Sequence, residues 1–361
     1  MMKRYLSLAL VFLLILALAP AMAEETAVRG QVTEIEKYGH SRLDITIEDF
    51  NNAGFALGDI VTVTAGSFTG DMPYLNGYYV DRGEAMVRAY PGHTNIAVCI
   101  NYGKFSETAG IDVGAPVTIV LKEKAGALAL QEISNLAYTN DRADYASDVV
   151  FANFRPVKEG KLYRSASPVD NQYNRAAYAD ALIREAGIRT VMNLASTDEE
   201  IEGFFASADY ASPYYQELYR AGQVIALGLP IAFESDEFGE GIVRGFTFLA
   251  DREPPFLVHC TEGKDRAGFA AMLLEMLMGW SGSEIAADYM VSYANYYGIE
   301  AGTEKYDMIM EKNIVEMMRS VARLEKNASL EGVDWQAAAE AYLMAHSMTE
   351  DALKTLEQKL Q

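Results

Sequence analysis

The chain has 361 residues, half of them apolar, with 51 acidic against 30 basic side chains and a formal charge of −21. Such a charge argues against nucleic acid as a partner, because binding to a phosphate backbone is driven by cationic side chains that release counterions. Two cysteines are too few for a disulfide framework, and the length leaves room for two domains.

Met1-Met2-Lys3-Arg4 opens the chain, an apolar run follows over 5–18, and Ala21-Met22-Ala23 precedes the acidic pair Glu24-Glu25. This order of charge, apolar stretch and small residues is that of a secretory signal peptide over 1–23, cleaved near Ala23. It predicts a secreted or periplasmic, in any case extracytoplasmic, protein. The run is short for a span and no later stretch reaches about 18 consecutive apolar residues, so stable membrane insertion is not expected.

Residues 24–124 read as a β-rich accessory domain. Val28-Arg29-Gly30-Gln31-Val32, Asp44-Ile45-Thr46-Ile47 and Ile60-Val61-Thr62-Val63 alternate or are β-branched, as half-buried strands do. The segment from Gly54 to Val63 is echoed from Gly110 to Ile119, each copy reading as a turn, a glycine and a strand. Two copies suit a small barrel or sandwich with internal pseudo-symmetry. The region is weakly similar to the β-rich domain of S-adenosylmethionine hydroxide adenosyltransferases, and nothing in it points to catalysis. Cys99, inside Asn95-Ile96-Ala97-Val98-Cys99-Ile100, is expected to be a buried strand residue and a free thiol.

A polar, unpatterned linker is expected over 125–147 and a second domain over 148–361. In that domain a strand at 190–194, a helix at 198–207, a strand at 224–229 and a helix at 237–250 alternate, which implies an α/β layer with a mostly parallel sheet flanked by helices. Beyond Ser283 everything reads as helix. Tyr289, Tyr293, Tyr296 and Tyr297 recur at helical spacing and are expected to form a packed face.

The chemistry concentrates in His259-Cys260-Thr261-Glu262-Gly263-Lys264-Asp265-Arg266-Ala267-Gly268. Pro254-Pro255-Phe256-Leu257-Val258 before it is a short apolar strand, and the run from Phe269 to Met278 after it consists largely of helix formers. The ten residues therefore form a loop ending on a helix N-terminus. Its backbone N–H groups and the orphan amides of the first helical turn favour a phosphoryl group and the thiolate form of Cys260. Arg266 has the planar fork to hold two phosphoryl oxygens, and Lys264 adds a point charge. His259 should leave the strand opposite to Cys260 and hydrogen-bond the loop backbone.

Cys260 and Arg266 resemble the Cys-x5-Arg signature of the protein tyrosine and dual-specificity phosphatase superfamily. The form His-Cys-x-x-Gly-Lys-Asp-Arg-x-Gly is similar to a bacterial and fungal branch close to the atypical dual-specificity enzymes. Asn153-Phe154-Arg155-Pro156-Val157, Leu162-Tyr163-Arg164-Ser165 and Gly187-Ile188-Arg189-Thr190-Val191 resemble the start of that domain. The resemblance implies attack on phosphorus by Cys260 and stabilisation of the phosphoryl oxygens by Arg266 and by the loop amides of Thr261, Glu262, Gly263, Lys264, Ala267 and Gly268. A phosphocysteine is then cleaved by water, with no metal or other cofactor.

The general acid implied is either Asp265, inside the loop, or Asp236 upstream, with Glu234 and Glu237 as lesser choices; motif position favours Asp265. Ala267 departs from the family's usual Thr or Ser, whose hydroxyl helps the sulfur leave, and Ala195 stands where relatives often carry arginine. The expected activity is phosphomonoester hydrolysis on phosphotyrosine or dual-specificity substrates. The alternatives are inositol phosphates, phytate or phosphoinositides, and a binding module whose turnover is impaired. Sulfurtransferase or arsenate chemistry is a more distant reading.

Overall fold

The computed structural model describes residues 26–361, which divide into two compact units at Gln131/Glu132. The expected signal peptide lies outside the described residues. Among those described, no helix is long and apolar enough to cross a membrane.

The first unit holds β1 (Ala27–Ile35), β2 (Ser41–Thr46), α1 (Ile47–Asn52), β3 (Ile60–Ala65), β4 (Phe68–Leu75), β5 (Ala85–Arg88), β6 (Asn95–Ile100), α2 (Phe105–Ala109) and β7 (Pro116–Glu123). The strands close into a barrel in the order β1-β2-β6-β5-β4-β3-β7, with β7 pairing back onto β1. Alternation in β3 sends Val61, Val63 and Ala65 inward to meet Val32, Leu43, Val98 and Ile119. The two sequence repeats are neighbours: β3 and β7 run antiparallel with Val63 opposite Ile119 and Thr64 opposite Thr118. Each copy turns into its strand through a left-handed glycine, Gly58 at φ +91° and Gly114 at φ +87°. The strand expected through Ile47 stops one residue earlier, because the Thr46 side chain accepts from the Asp49 amide and starts α1 there. Cys99 is fully buried and free, and burial pushes its thiol up to about 12.

The stretch expected to be an unpatterned linker contains α3 (Leu128–Ile133), within which the unit division falls, and a 3-10 turn at Arg142–Asp144. The second unit continues with α4 (Asp148–Phe151), β8 (Arg155–Lys158), β9 (Leu162–Ser165), α5 (Ala176–Glu185), β10 (Thr190–Asn193), α6 (Asp198–Phe205), α7 (Pro213–Arg220), β11 (Val224–Ala226), α8 (Asp236–Ala250), β12 (Phe256–His259) and α9 (Asp265–Leu277). Then come α10 (Gly282–Tyr297), α11 (Glu304–Met310), a π-helical turn at Glu311–Val315, α12 (Glu316–Val321), α13 (Trp335–Ala345) and α14 (Glu350–Leu360).

The sheet order is β11-β10-β12-β9-β8, parallel except for the edge strand β8. Central β12 is buried at all four residues, as a parallel strand covered on both faces should be. Helix α9, which leaves the carboxyl end of β12, is buried from Ala267 to Leu277 and has no polar face; α13 packs against it. The β12–α9 junction thus sits at the centre of the unit, at the sheet end where ligands bind in such folds.

Candidate active site

The loop from Cys260 to Lys264 joins β12 to α9 and is shaped mainly by what holds its carbonyls. The Thr261 carbonyl accepts from the Ser167 amide at 3.1 Å. The Glu262 carbonyl accepts from the Tyr296 hydroxyl at 2.6 Å and from Asn153 Nδ2 at 3.1 Å. The Gly263 carbonyl accepts from Arg164 Nη2 at 3.0 Å and Asn153 Nδ2 at 3.3 Å. Arg164 Nη2 also donates to the Lys264 carbonyl at 3.1 Å, which the Gly268 amide shares at 2.8 Å. In a trans peptide the N–H points opposite to the C=O. Four carbonyls drawn outward therefore turn the amides of Glu262, Gly263, Lys264 and Asp265 toward the concave side, where the orphan N–H groups of the first α9 turn join them.

Gly263 is required at its place. Its φ is +68°, and a Cβ there would stand 2.2 Å from the Ser165 carbonyl oxygen. Gly268 is required for another reason, since a Cβ would lie 2.7 Å from the Tyr289 ring and 3.0 Å from Arg164 Nη2.

The donors that grip the carbonyls are gripped in turn. Arg164 and Arg155 share Asp288, at 2.6 Å and 2.7 Å, and Asp288 is held well below the usual carboxylate range: burial opposes this, but the two guanidinium groups outweigh it. Glu275, buried beside it, is pushed well above its range by burial first and by Asp288 second, which favours its protonated form. Asn153, at the left-handed φ of 49°, accepts from Arg155 and Asn295 at 2.9 Å each, which fixes its amide with the nitrogen toward the loop. Arg175 is buried in a cage of Tyr138, Tyr145, Phe151 and Tyr296, with its guanidinium carbon 4.3–5.3 Å from the four ring centres.

Cys260 is almost completely buried at the head of the loop. Arg266 donates from Nη1 to the Leu229 carbonyl at 2.9 Å and from Nη2 to Thr261 Oγ1 at 3.1 Å; its buried Nε has no partner among the described residues. Lys264 lies between Glu262 at 3.6 Å and Asp265 at 3.8 Å, donates to the Tyr297 hydroxyl at 3.2 Å and stands over the Tyr293 and Tyr297 rings. Burial alone would lower this ammonium, but Asp265, Tyr293 and Glu262 hold it above its ordinary value. Glu262 also accepts from the Tyr138 hydroxyl.

Asp265, the first residue of α9, has its carboxyl raised by burial, against the pull of Lys264, and accepts from the Tyr289 hydroxyl at 3.3 Å. His259 is fully buried. Its Nδ1 reaches the Cys260 carbonyl at 3.4 Å and must be the donor there; burial pushes the imidazole down to about 3, so it is neutral. Ala267 is buried in the first turn of α9, and Ala195 follows β10 with its amide donating to Asn193 Oδ1. Asp236 lies in the first turn of α8, complementing that helix dipole, and its charge acts on Tyr342. Among the described residues no group of three or more His, Cys, Asp or Glu side chains is arranged to hold a metal ion.

The four tyrosines of α10 form a packed face, and they do more than pack. Tyr289, Tyr296 and Tyr297 direct their hydroxyls to Asp265, the Glu262 carbonyl and Lys264, and Tyr293 lies under the Lys264 ammonium. Asn153, Arg155 and Arg164 fall in segments that sequence similarity marks without assigning them a task. Asp288, Glu275 and Arg175 carry no comparable signal.

Cys260 and Arg266 flank an inward-facing set of loop amides at the carboxyl end of a parallel strand, where such folds bind ligands. Residues 146–361 match the tyrosine phosphatase family, and the chain belongs to that family of enzymes. A protein of Cupriavidus necator, named provisionally as a tyrosine-protein phosphatase, is 29% identical over 191 residues, covering 48% of this chain and 68% of the relative. Among solved structures, TpbA of P. aeruginosa, a cysteine-to-serine variant in complex with pTyr, is 18% identical with a TM-score of 0.31, covering 54% of this chain and 91% of that one. The core catalytic domain of the PP-IP phosphatase SIW14 from S. cerevisiae is 18% identical at a TM-score of 0.27, over 46% and 91%. An uncharacterised conserved protein of Thermotoga maritima is 21% identical at 0.25, over 27% of this chain and 37% of that one.

Two expectations follow. Asn153→Ala strips one donor from two loop carbonyls and should destabilise the unit by about 1–3 kcal/mol, with turnover of p-nitrophenyl phosphate falling more than KM changes. Full turnover in that variant would remove Asn153 from loop shaping. His259 stays neutral in the fold while the unfolded imidazole titrates near 6.5, so stability present above that pH is lost as pH falls toward 3, by up to about 1.4 kcal/mol per unit. Both tryptophans, Trp280 and Trp335, lie in this unit and report its unfolding. Denaturant midpoints at pH 7 and pH 5 should converge in His259→Gln; an undiminished fall in the variant would refute the assignment.

Proposed function

We propose that the chain is an exported, cysteine-dependent phosphatase acting on phosphotyrosine or dual-specificity substrates through a phosphocysteine. The observation that carries this reading is the loop in which four consecutive carbonyls are tied outward beside Cys260 and Arg266. In the first step the Cys260 sulfur attacks phosphorus in line, an S–P bond forms, the bond to the ester oxygen breaks, and a carboxyl proton passes to that leaving oxygen. The inward amides and Arg266 carry the charge on the equatorial oxygens. Water then attacks phosphorus with proton loss to the same carboxylate, the S–P bond breaks, and phosphate and the thiolate are released.

Asp265 is assigned as the acid, in preference to Asp236, because it is raised by burial at the head of α9 and is therefore able to keep its proton at higher pH than an ordinary carboxyl. The apolar N-terminal run supports export, and membership of the tyrosine phosphatase family favours phosphotyrosine over inositol phosphates as the first substrate to test. The absence of a hydroxyl at Ala267 favours a second reading, a binding module that forms phosphocysteine and stalls.

The test is hydrolysis of p-nitrophenyl phosphate with thiol reductant and chelator. Cys260→Ser should abolish it, and Arg266→Ala should reduce it by at least about 10²-fold. Wild-type activity retained in Cys260→Ser would sink the proposal, and a single stoichiometric burst would move the assignment to the stalled module. The acid is tested by pH: wild-type kcat should fall as pH rises through the Asp265 carboxyl, and Asp265→Asn should lose that limb. If the limb disappears in Asp236→Asn instead, Asp236 is the acid.

A further inference from the structure

The barrel unit carries a groove of about 780 Å³ lined by Lys37, Tyr38, His40, Tyr78, Tyr102 and Lys104, among others. Most of it is built by two turns, the one between β1 and β2 and the one that follows β6, with Tyr78 added from the segment between β4 and β5. They are locked to each other: the Ser106 amide donates to the Gly39 carbonyl at 3.0 Å, and a Cβ on Gly39 would lie 2.6 Å from the Lys104 Cβ. From these rigid turns Tyr38 and Tyr102 project into solvent, 64% and 80% exposed.

Tyr102 does so from a left-handed backbone at φ 54°, a conformation that a bulky L-residue adopts only under constraint. No packing explains it, because the ring is the part left bare; Arg82 alone lies over it, at 4.6 Å. At the inner end His40 is more than nine-tenths buried between Tyr38 and Tyr78, and its Nδ1 has no partner among the described residues. Lys104 is paired with Glu107. Lys37 stands over one face of Tyr38, 5.1 Å from the ring centre, and forms no ion pair among the described residues.

We propose that this groove binds an oligosaccharide bearing a carboxylate, its sugar rings laid on the open faces of Tyr38 and Tyr102, a hydroxyl against His40 and the carboxylate on Lys37. Tyrosine suits such a ligand, since its ring meets the C–H face of a sugar while its hydroxyl stays wet. The rings around His40 are tilted by 54° and 39°, so they form no parallel slot for a planar base. A proline-rich peptide would also find aromatic faces here but would leave the Lys37 charge unanswered. The proposal is independent of the phosphatase chemistry.

The test is calorimetric titration of the full chain with pentagalacturonate, cellopentaose and decaproline. Pentagalacturonate should bind saturably, with about tenfold weakening in Tyr38→Ala and in Tyr102→Ala. Lys37→Ala should reduce it to the level of cellopentaose, and hydrolysis of p-nitrophenyl phosphate should be unchanged in all three. Tyr102→Gly separates binding from folding: glycine accepts the left-handed backbone, so the melting temperature should hold or rise while binding weakens by about the same tenfold. The proposal is overturned if pentagalacturonate does not bind, if decaproline binds in its place, or if affinity is unchanged in Tyr102→Gly and Lys37→Ala.

Discussion

The phosphatase unit depends on one constraint: a loop of five residues must show its amides to a ligand, so its carbonyls must be satisfied from behind. Buried peptide oxygens left without donors would each be costly, and a loop has no ladder of its own to satisfy them. Here the donors are Asn153, Arg164, Tyr296 and the Ser167 amide. They come from two places far apart in the chain, the segment around β8 and β9 and the helix α10. The rest of the unit can be read as the support these donors need.

That support is electrostatic as well as steric. The chain is strongly acidic, yet the region behind the loop holds Arg155 and Arg164 against the carboxylate Asp288 and a Glu275 that burial pushes toward its protonated form. Burying such charges is unfavourable unless each polar atom is met, and removing one partner strands the others. The excess positive charge points its N–H groups at carbonyl oxygens, so the dipoles of the loop peptides are aligned with their positive ends toward the concave side. Lys264 and Arg266 add to this from within, and the chain's overall negative charge does not cancel a field generated over a few ångströms.

Much of the site was legible in sequence because it is contiguous. Strand, cysteine, glycine, arginine and helix all lie within about twenty residues, and the order of strands and helices before them implied a mostly parallel sheet with a β-rich unit ahead of it. What escaped was non-local. Asn153 and Tyr296 meet Glu262 across 109 and 34 residues, and no local pattern encodes such a meeting. Asp288 and Glu275 look in sequence like surface charges on helices, and only their neighbours show otherwise. The α10 tyrosines illustrate the limit of periodicity: spacing identifies the buried face, but it cannot say that the hydroxyl tips end on the loop. In the barrel the two repeats announced their likeness, while their side-by-side pairing is a property of closure.

The split origin of the carbonyl donors has a consequence for the life of the molecule during synthesis. As the chain emerges from the ribosome, Asn153 and Arg164 are available early, and the cysteine loop follows about a hundred residues later. Asp288, which steadies both arginines, and Tyr296, which closes the set, are made only after the loop. A nascent chain that has reached Gly268 therefore has its cysteine but not the scaffold that aims the loop amides. The loop acquires its full set of carbonyl donors only when α10 has folded back over it, so its shape is completed last.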